Sequence, residues 1–161
     1  MDFSYSTTIA NAISDTFDAN DWRYRFDEEK GVFTSGASIR GKLQNVRSLI
    51  YVHEDGYLSR AVCPIKADVQ DKEVMRNIAD FLHKANYDLR NGGFEFDNRD
   101  GEVSYKTYNV CIDRIPKEEE VMRSVFLPAM MFEKYTPGIL GILFGGMDAE
   151  SAYALCMENI D

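Results

Sequence analysis

The residues best suited to chemistry in this chain sit in two acidic turns, His53-Glu54-Asp55-Gly56 and Asn98-Arg99-Asp100-Gly101. A carboxylate-rich loop with glycine at its bend is what an EF-hand uses to bind calcium. Register excludes that use. With Gly101 or Gly56 at the glycine position of such a loop, its first ligand would be Phe96 or Tyr51, and neither supplies a carboxylate. Both sequences therefore read as hairpin turns. The two histidines, His53 and His83, are joined by no short motif to a nucleophile or a metal-ligating carboxylate. No nucleophile elbow, phosphate-cradling glycine loop or dinucleotide fingerprint is present. Cys63, Cys111 and Cys156 lie far apart, without the paired spacing of a zinc site or a redox dithiol, and read as reduced thiols. Glu118 and Glu119 read as the solvated start of a helix. The sequence thus assigns no catalytic residue, no metal ligand and no cofactor site.

Its most unusual feature is apolar. From Leu127 to Phe132 nearly every position is apolar, and a second run follows from Pro137 to Met147. The second run has eleven residues, about half of the ~20 a helix needs to cross a bilayer. It is not a membrane span. Gly141 and Gly145 have the spacing that lets helices approach closely, or simply fit a bend. Side chains of this kind are worth ~1.5–3 kcal/mol each when buried, so something must cover them. Two coverings are open: the domain's own core, or a protein interface. The candidate interface is Phe126, Met130, Met131, Phe132, Ile139, Leu140, Ile142, Leu143 and Phe144. Methionines suit either use.

These segments need a scaffold, and hydrophobic periodicity supplies one. Tyr5, Ile9, Ala12, Ile13, Thr16 and Phe17 recur at helical spacing after Ser4 or Ser6 as N-cap. The period becomes two at Trp22, Tyr24 and Phe26, where a strand is expected to begin. A second strand alternates through Phe33, Ser35, Ala37 and Ile39. A third places Val46, Ser48, Ile50 and Val52 on one face and Arg47, Leu49, Tyr51 and His53 on the other. A fourth runs from Tyr57 to Ile65, completing an antiparallel meander. Val74, Ile78, Phe81, Leu82 and Ala85 mark a helix capped by Asp68 or Asp71, with Asn86 expected to end it in a left-handed conformation. Phe94 and Phe96, then Val103, Tyr105 and Thr107, form a hairpin. A third helix opens at Lys117-Glu118-Glu119-Glu120 with a kink expected at Pro128, the apolar segment 137–147 follows it as a separate piece after Thr136, and Asp148 to Glu158 forms a short last helix. The expected fold is α+β, in the order α-β-β-β-β-α-β-β-α-α, with helices mainly on one face of an antiparallel sheet and one domain over residues 1–161.

A formal charge of -9 and a pI near 4.7 oppose nucleic acid and anionic lipid as partners. The N-terminus has neither the basic nor the apolar region of a secretory signal, so a soluble cytoplasmic protein is expected.

With the elements placed, Phe81-Leu82, Asn86, Gly92-Gly93-Phe94-Glu95-Phe96-Asp97 and Asp100-Gly101-Glu102-Val103-Ser104-Tyr105 resemble the YbjN-like family. Tyr135-Thr136-Pro137-Gly138 through Gly145-Gly146 is similar to the tail of some members. The resemblance implies a fold like that of type III secretion chaperones, which are small acidic proteins that dimerise and bind other polypeptides. It also implies a role as a bacterial sensory-transduction regulator. The expected function is therefore a non-enzymatic, protein-binding regulator or chaperone-like module, homodimeric, with a protein partner and no cofactor. The alternative is a small-molecule sensor with a pocket between sheet and helices, where Ser35, Ala37, Ser48 and Ala61 leave room.

Overall fold

The computed structural model describes residues 4–87 and 89–158; Asp88 and the outermost residues of the expected 1–161 domain, 1–3 and 159–161, lie outside the described residues. The elements are α1 (Thr7–Ala19), β1 (Tyr24–Asp27), β2 (Val32–Ser38), β3 (Asn45–Val52), β4 (Gly56–Val62), α2 (Lys72–Asn86), β5 (Gly93–Asp97), β6 (Glu102–Val110), α3 (Glu118–Gly145) and α4 (Ala149–Glu158). Class and order are those read from periodicity. All six strands are antiparallel in the spatial order β1-β2-β3-β4-β6-β5. The β5–β6 hairpin joins the meander through its second strand, which leaves β5 on the edge.

One row across the sheet sets the architecture. Register places Tyr24, Ser35, Ser48, Ala61, Tyr105 and Phe94 side by side. Aromatic rings stand at both ends and small side chains in the middle, so the row forms a trough. α3 lies along it, touching β2, β3, β4 and β6. The small residues expected to leave a pocket instead seat a helix.

A proline helps fasten that helix. Pro128 has no N–H, so the Ser124 carbonyl loses its intrahelical donor. The Ser59 hydroxyl of β4 donates to that carbonyl at 2.7 Å. Helix and sheet are thereby joined by a buried hydrogen bond that an uninterrupted helix would not offer.

The core has two parts that share α3. On one side Ile9, Ile13 and Phe17 of α1 pack with Phe33, Ile50, Val52, Tyr57, Val121 and Val125. On the other, Ile78, Phe81 and Leu82 of α2 pack with Phe94, Val103, Tyr105, Phe132, Ile139, Ile142 and Cys156. The caps at Ser6 and Asp71 form as expected, accepting from the Ile9 and Val74 N–H groups at 3.2 and 3.1 Å.

Three local expectations are corrected. Trp22 lies before β1 rather than in it, stacking on Phe17 and meeting Phe126 edge-on, because the chain turns at Asp21 with φ of 51°. Asn86 remains helical and the following Tyr87 is right-handed. Its amide instead receives the Phe94 N–H at 2.7 Å and donates to the Phe94 carbonyl at 2.9 Å, taking the place of a further strand beside β5. Finally, α3 does not end before Pro137 but continues for 28 residues to Gly145, about 42 Å at the α-helical rise.

Candidate functional site: an exposed seam along the third helix

Why α3 survives Pro137 follows from its neighbours. The Thr136 hydroxyl donates to the Phe132 carbonyl at 2.5 Å, and the Gly138 N–H turns to the Cys156 sulfur of α4 at 3.2 Å. Gly138 also has no room for a side chain: a Cβ there would stand 2.6 Å from the Phe81 ring and 2.9 Å from the Ala152 carbonyl oxygen. α2, α3 and α4 meet at that point, and the side chains they bury stabilise the helix past the proline.

Because the helix is continuous, its phase is fixed along its whole length. Val121, Val125, Pro128, Phe132, Tyr135, Ile139 and Ile142 all face inward and are buried. Their spacing alternates four and three. A second stripe with the same alternation faces outward: Phe126, Met130, Glu133, Pro137, Leu140 and Phe144. Phe126 is 45% exposed, Met130 60% and Phe144 72%, while Glu133, Pro137 and Leu140 are half-buried. Spacing of four and three is that of the apolar seam by which one helix packs on another.

The nine residues read as a candidate interface therefore divide. Phe132, Ile139 and Ile142 are own core, and Met131 and Leu143 pack against it half-buried. Phe126, Met130, Leu140 and Phe144 lie on the outward seam. Gly141 does not provide a free helix-contact surface, because Met147 folds over it.

The seam's one charged residue is neutralised. Glu133 accepts from the Arg40 backbone N–H at 2.9 Å and from its Nε at 2.6 Å. These bonds, the backbone one foremost, hold its carboxyl below the usual glutamate range. They also tie the β2–β3 loop to α3. Between that loop, the end of α3 and Leu155 of α4 lies a depression of about 540 Å³, floored by Pro137, Leu140 and Gly141 and rimmed by Arg40, Lys42 and Phe144.

The residues read first for chemistry are engaged in structural contacts. In the Asn98–Gly101 turn, Asp97 accepts from the Arg99 backbone and Nε at 2.9 Å, and Asp100 accepts from the Glu102 N–H at 3.0 Å. Arg99 holds the Asp97 carboxyl down at about 2. Gly101, at φ of 78°, has the left-handed geometry of the turn. Asp55 accepts from the Tyr108 hydroxyl at 2.8 Å. Burial, with that bond, pushes Tyr108 up to about 12. His53 lies beside the Tyr108 ring and His83 is exposed on α2. Among the described residues no three His, Cys, Asp or Glu side chains gather as a metal site.

The sequence profile of the family described as "Putative bacterial sensory transduction regulator", YbjN, matches residues 10–140. The chain belongs to the YbjN family. No curated protein and no solved structure matches it. The YbjN match covers α1 from Ala10 onward, the whole sheet, α2 and α3 as far as Leu140, and so takes in most of the seam. Among the described residues no helix is long and apolar enough to cross a membrane.

Proposed function

We propose that this protein is a non-enzymatic regulatory module of the chaperone-like type, acting through protein–protein contacts and self-associating as a homodimer along α3. The observation that carries the reading is the outward 4-3-4-3-4 stripe from Phe126 to Phe144, apolar except for a carboxylate already paired within its own chain. Membership of a family of sensory-transduction regulators supports the same role. One domain, residues 1–161, accounts for it.

A two-fold dimer is isologous, so the same stripe must complement itself. Two α3 helices packed antiparallel about a point near Glu133 to Pro137 set Phe126 of one copy opposite Phe144 of the other and Met130 opposite Leu140. The depression beside Leu140 then receives the partner copy's Phe126. Seam packing at about 20° is the geometry this spacing favours.

Sedimentation velocity on the full chain tests the proposal. A dimer is expected at high micromolar concentration, and Leu140→Asp with Phe144→Asp is expected to give a folded monomer with an unchanged circular dichroism spectrum. A wild-type protein that stays monomeric, or a double variant that still dimerises, overturns the seam. Met130→Asp provides an independent check from the other end of the stripe.

A further inference from the structure

The helices cover one face of the sheet, and the other face carries a pattern of its own. Register aligns Val32, Tyr51, Leu58 and Tyr108 in a row across four strands, about 14 Å long at the usual strand spacing. Every member is half-buried or exposed. Val110, 50% exposed, extends the row along β6. Between Val32, Tyr51, Leu58 and Arg60 the surface dips into a depression of about 560 Å³.

The neighbouring row is cationic. Arg25, Thr34, Leu49, Arg60 and Lys106 lie side by side, and Arg47 stands one pair further along β3. Register also puts four carboxylates on this face, Asp27, Glu95, Asp97 and Glu102. Each is engaged: Glu95 by Arg60, at 2.7 Å, and Lys106, Asp27 by Lys30 at 3.5 Å, Asp97 by Arg99 at 2.7 Å and Glu102 by Lys66 at 3.7 Å, whereas Arg25 and Arg47 pair with no carboxylate among the described residues. A chain with a formal charge of -9 thus keeps two unpaired arginines beside an apolar row on the helix-free face of its sheet.

We propose that this face docks an acidic amphipathic helix from a partner protein, lying across the strands with its apolar side on the Val32–Tyr108 row and its carboxylates on Arg25 and Arg47. The inference rests on the protein-binding reading but not on the α3 seam. Charge selects the occupant. A second copy placed face to face would oppose arginine with arginine. An anionic membrane would meet the repulsive field of the rest of the molecule. A short acidic peptide lies within a Debye length of the arginines and is screened from most of the remaining molecule, so it meets the local charge of the face rather than the field of the whole chain.

The test is fluorescence anisotropy of the full chain with a labelled helical peptide that carries leucine at i, i+3, i+4 and i+7 and glutamate elsewhere. Saturable binding is expected, weakened about tenfold by Arg25→Glu with Arg47→Glu and by Leu58→Asp. The seam variant Leu140→Asp/Phe144→Asp should bind as wild type. Thermal denaturation of each variant separates lost binding from lost fold, and Arg47→Glu alone serves if the double variant unfolds. Absent binding, binding unchanged by the sheet substitutions, or loss in the seam variant instead overturns the proposal. So does association of the sheet face with phosphatidylserine vesicles in preference to the peptide. A monomeric wild-type protein that still binds the peptide refutes the seam and leaves this docking face standing.

Discussion

The outward stripe of α3 and the helix-free face of the sheet are both apolar surfaces on one small chain, but they are built on different principles. The stripe runs along one element, is nearly neutral, and repeats so that it can complement itself. The sheet row runs across four elements, is flanked by two unpaired arginines, and cannot complement itself. Their difference separates self-association from recognition of something else. A surface that repeats along its own axis suits a copy, whereas one with a net sign suits a partner of the opposite sign.

The sharpest way to break this comparison is to cross from the outward to the inward stripe of the same helix. Phe132→Ala is expected to destabilise the fold by about 3–5 kcal/mol in chemical denaturation, because the ring packs against Phe94 in the core. Phe144→Ala should cost less than about 0.5 kcal/mol. Equal costs would mean that Phe144 is core and the seam is not a surface.

Gly138→Val should come next, at about 1–3 kcal/mol, since its side chain must displace Phe81 or α4. It deforms the depression beside Leu140 without reaching the sheet row. Self-association should fall while peptide binding holds, as measured by sedimentation and anisotropy on the same preparation.

Salt then separates the two surfaces by kind. Raising it to about 0.5 M should weaken peptide binding roughly tenfold through screening and leave the seam dimer nearly unchanged. A dimer that dissociates in salt would place charge, rather than the apolar stripe, in control of self-association.

The smallest expected effect is that of acid on Glu133. Arg40 lowers its carboxyl in the folded state, so the stability it contributes is present above the ordinary glutamate range and is lost as pH falls through the depressed value. Glu133→Gln should therefore flatten the acid limb of folding stability as pH falls through and below the ordinary glutamate range, as read by chemical denaturation at a series of pH values.

How these surfaces relate to the sequence differs as well. Strand alternation and the two caps were legible because each is a local pattern. It was equally legible that Leu127–Phe132 and Ile139–Phe144 needed covering. Which residues faced in was not, because Pro137 reads as a break, and a break erases the phase between the runs. Only the packing of α2 and α4 around Gly138 carries the helix through, and that contact is long-range. The sheet face escaped notice for another reason. Alternation correctly put Arg47, Leu49 and Tyr51 opposite Ser48 and Ile50, but no local signal says which face the helices cover, or that Val32, Leu58 and Tyr108 come to stand beside Tyr51. Asn86 was read as a helix terminator on propensity alone, whereas its amide is used by a strand eight residues later.

The three cysteines give the divided core a clock. Cys63 and Cys156 lie in the part built around α2 and α4, Cys111 in the part built around α1, and all are buried free thiols whose acidity burial suppresses. Each can react with an alkylating reagent only when its surroundings open. Their separate labelling rates would time how often each half of the molecule breathes, and whether α4, stitched to α3 through the Cys156 sulfur, lifts before α1 does.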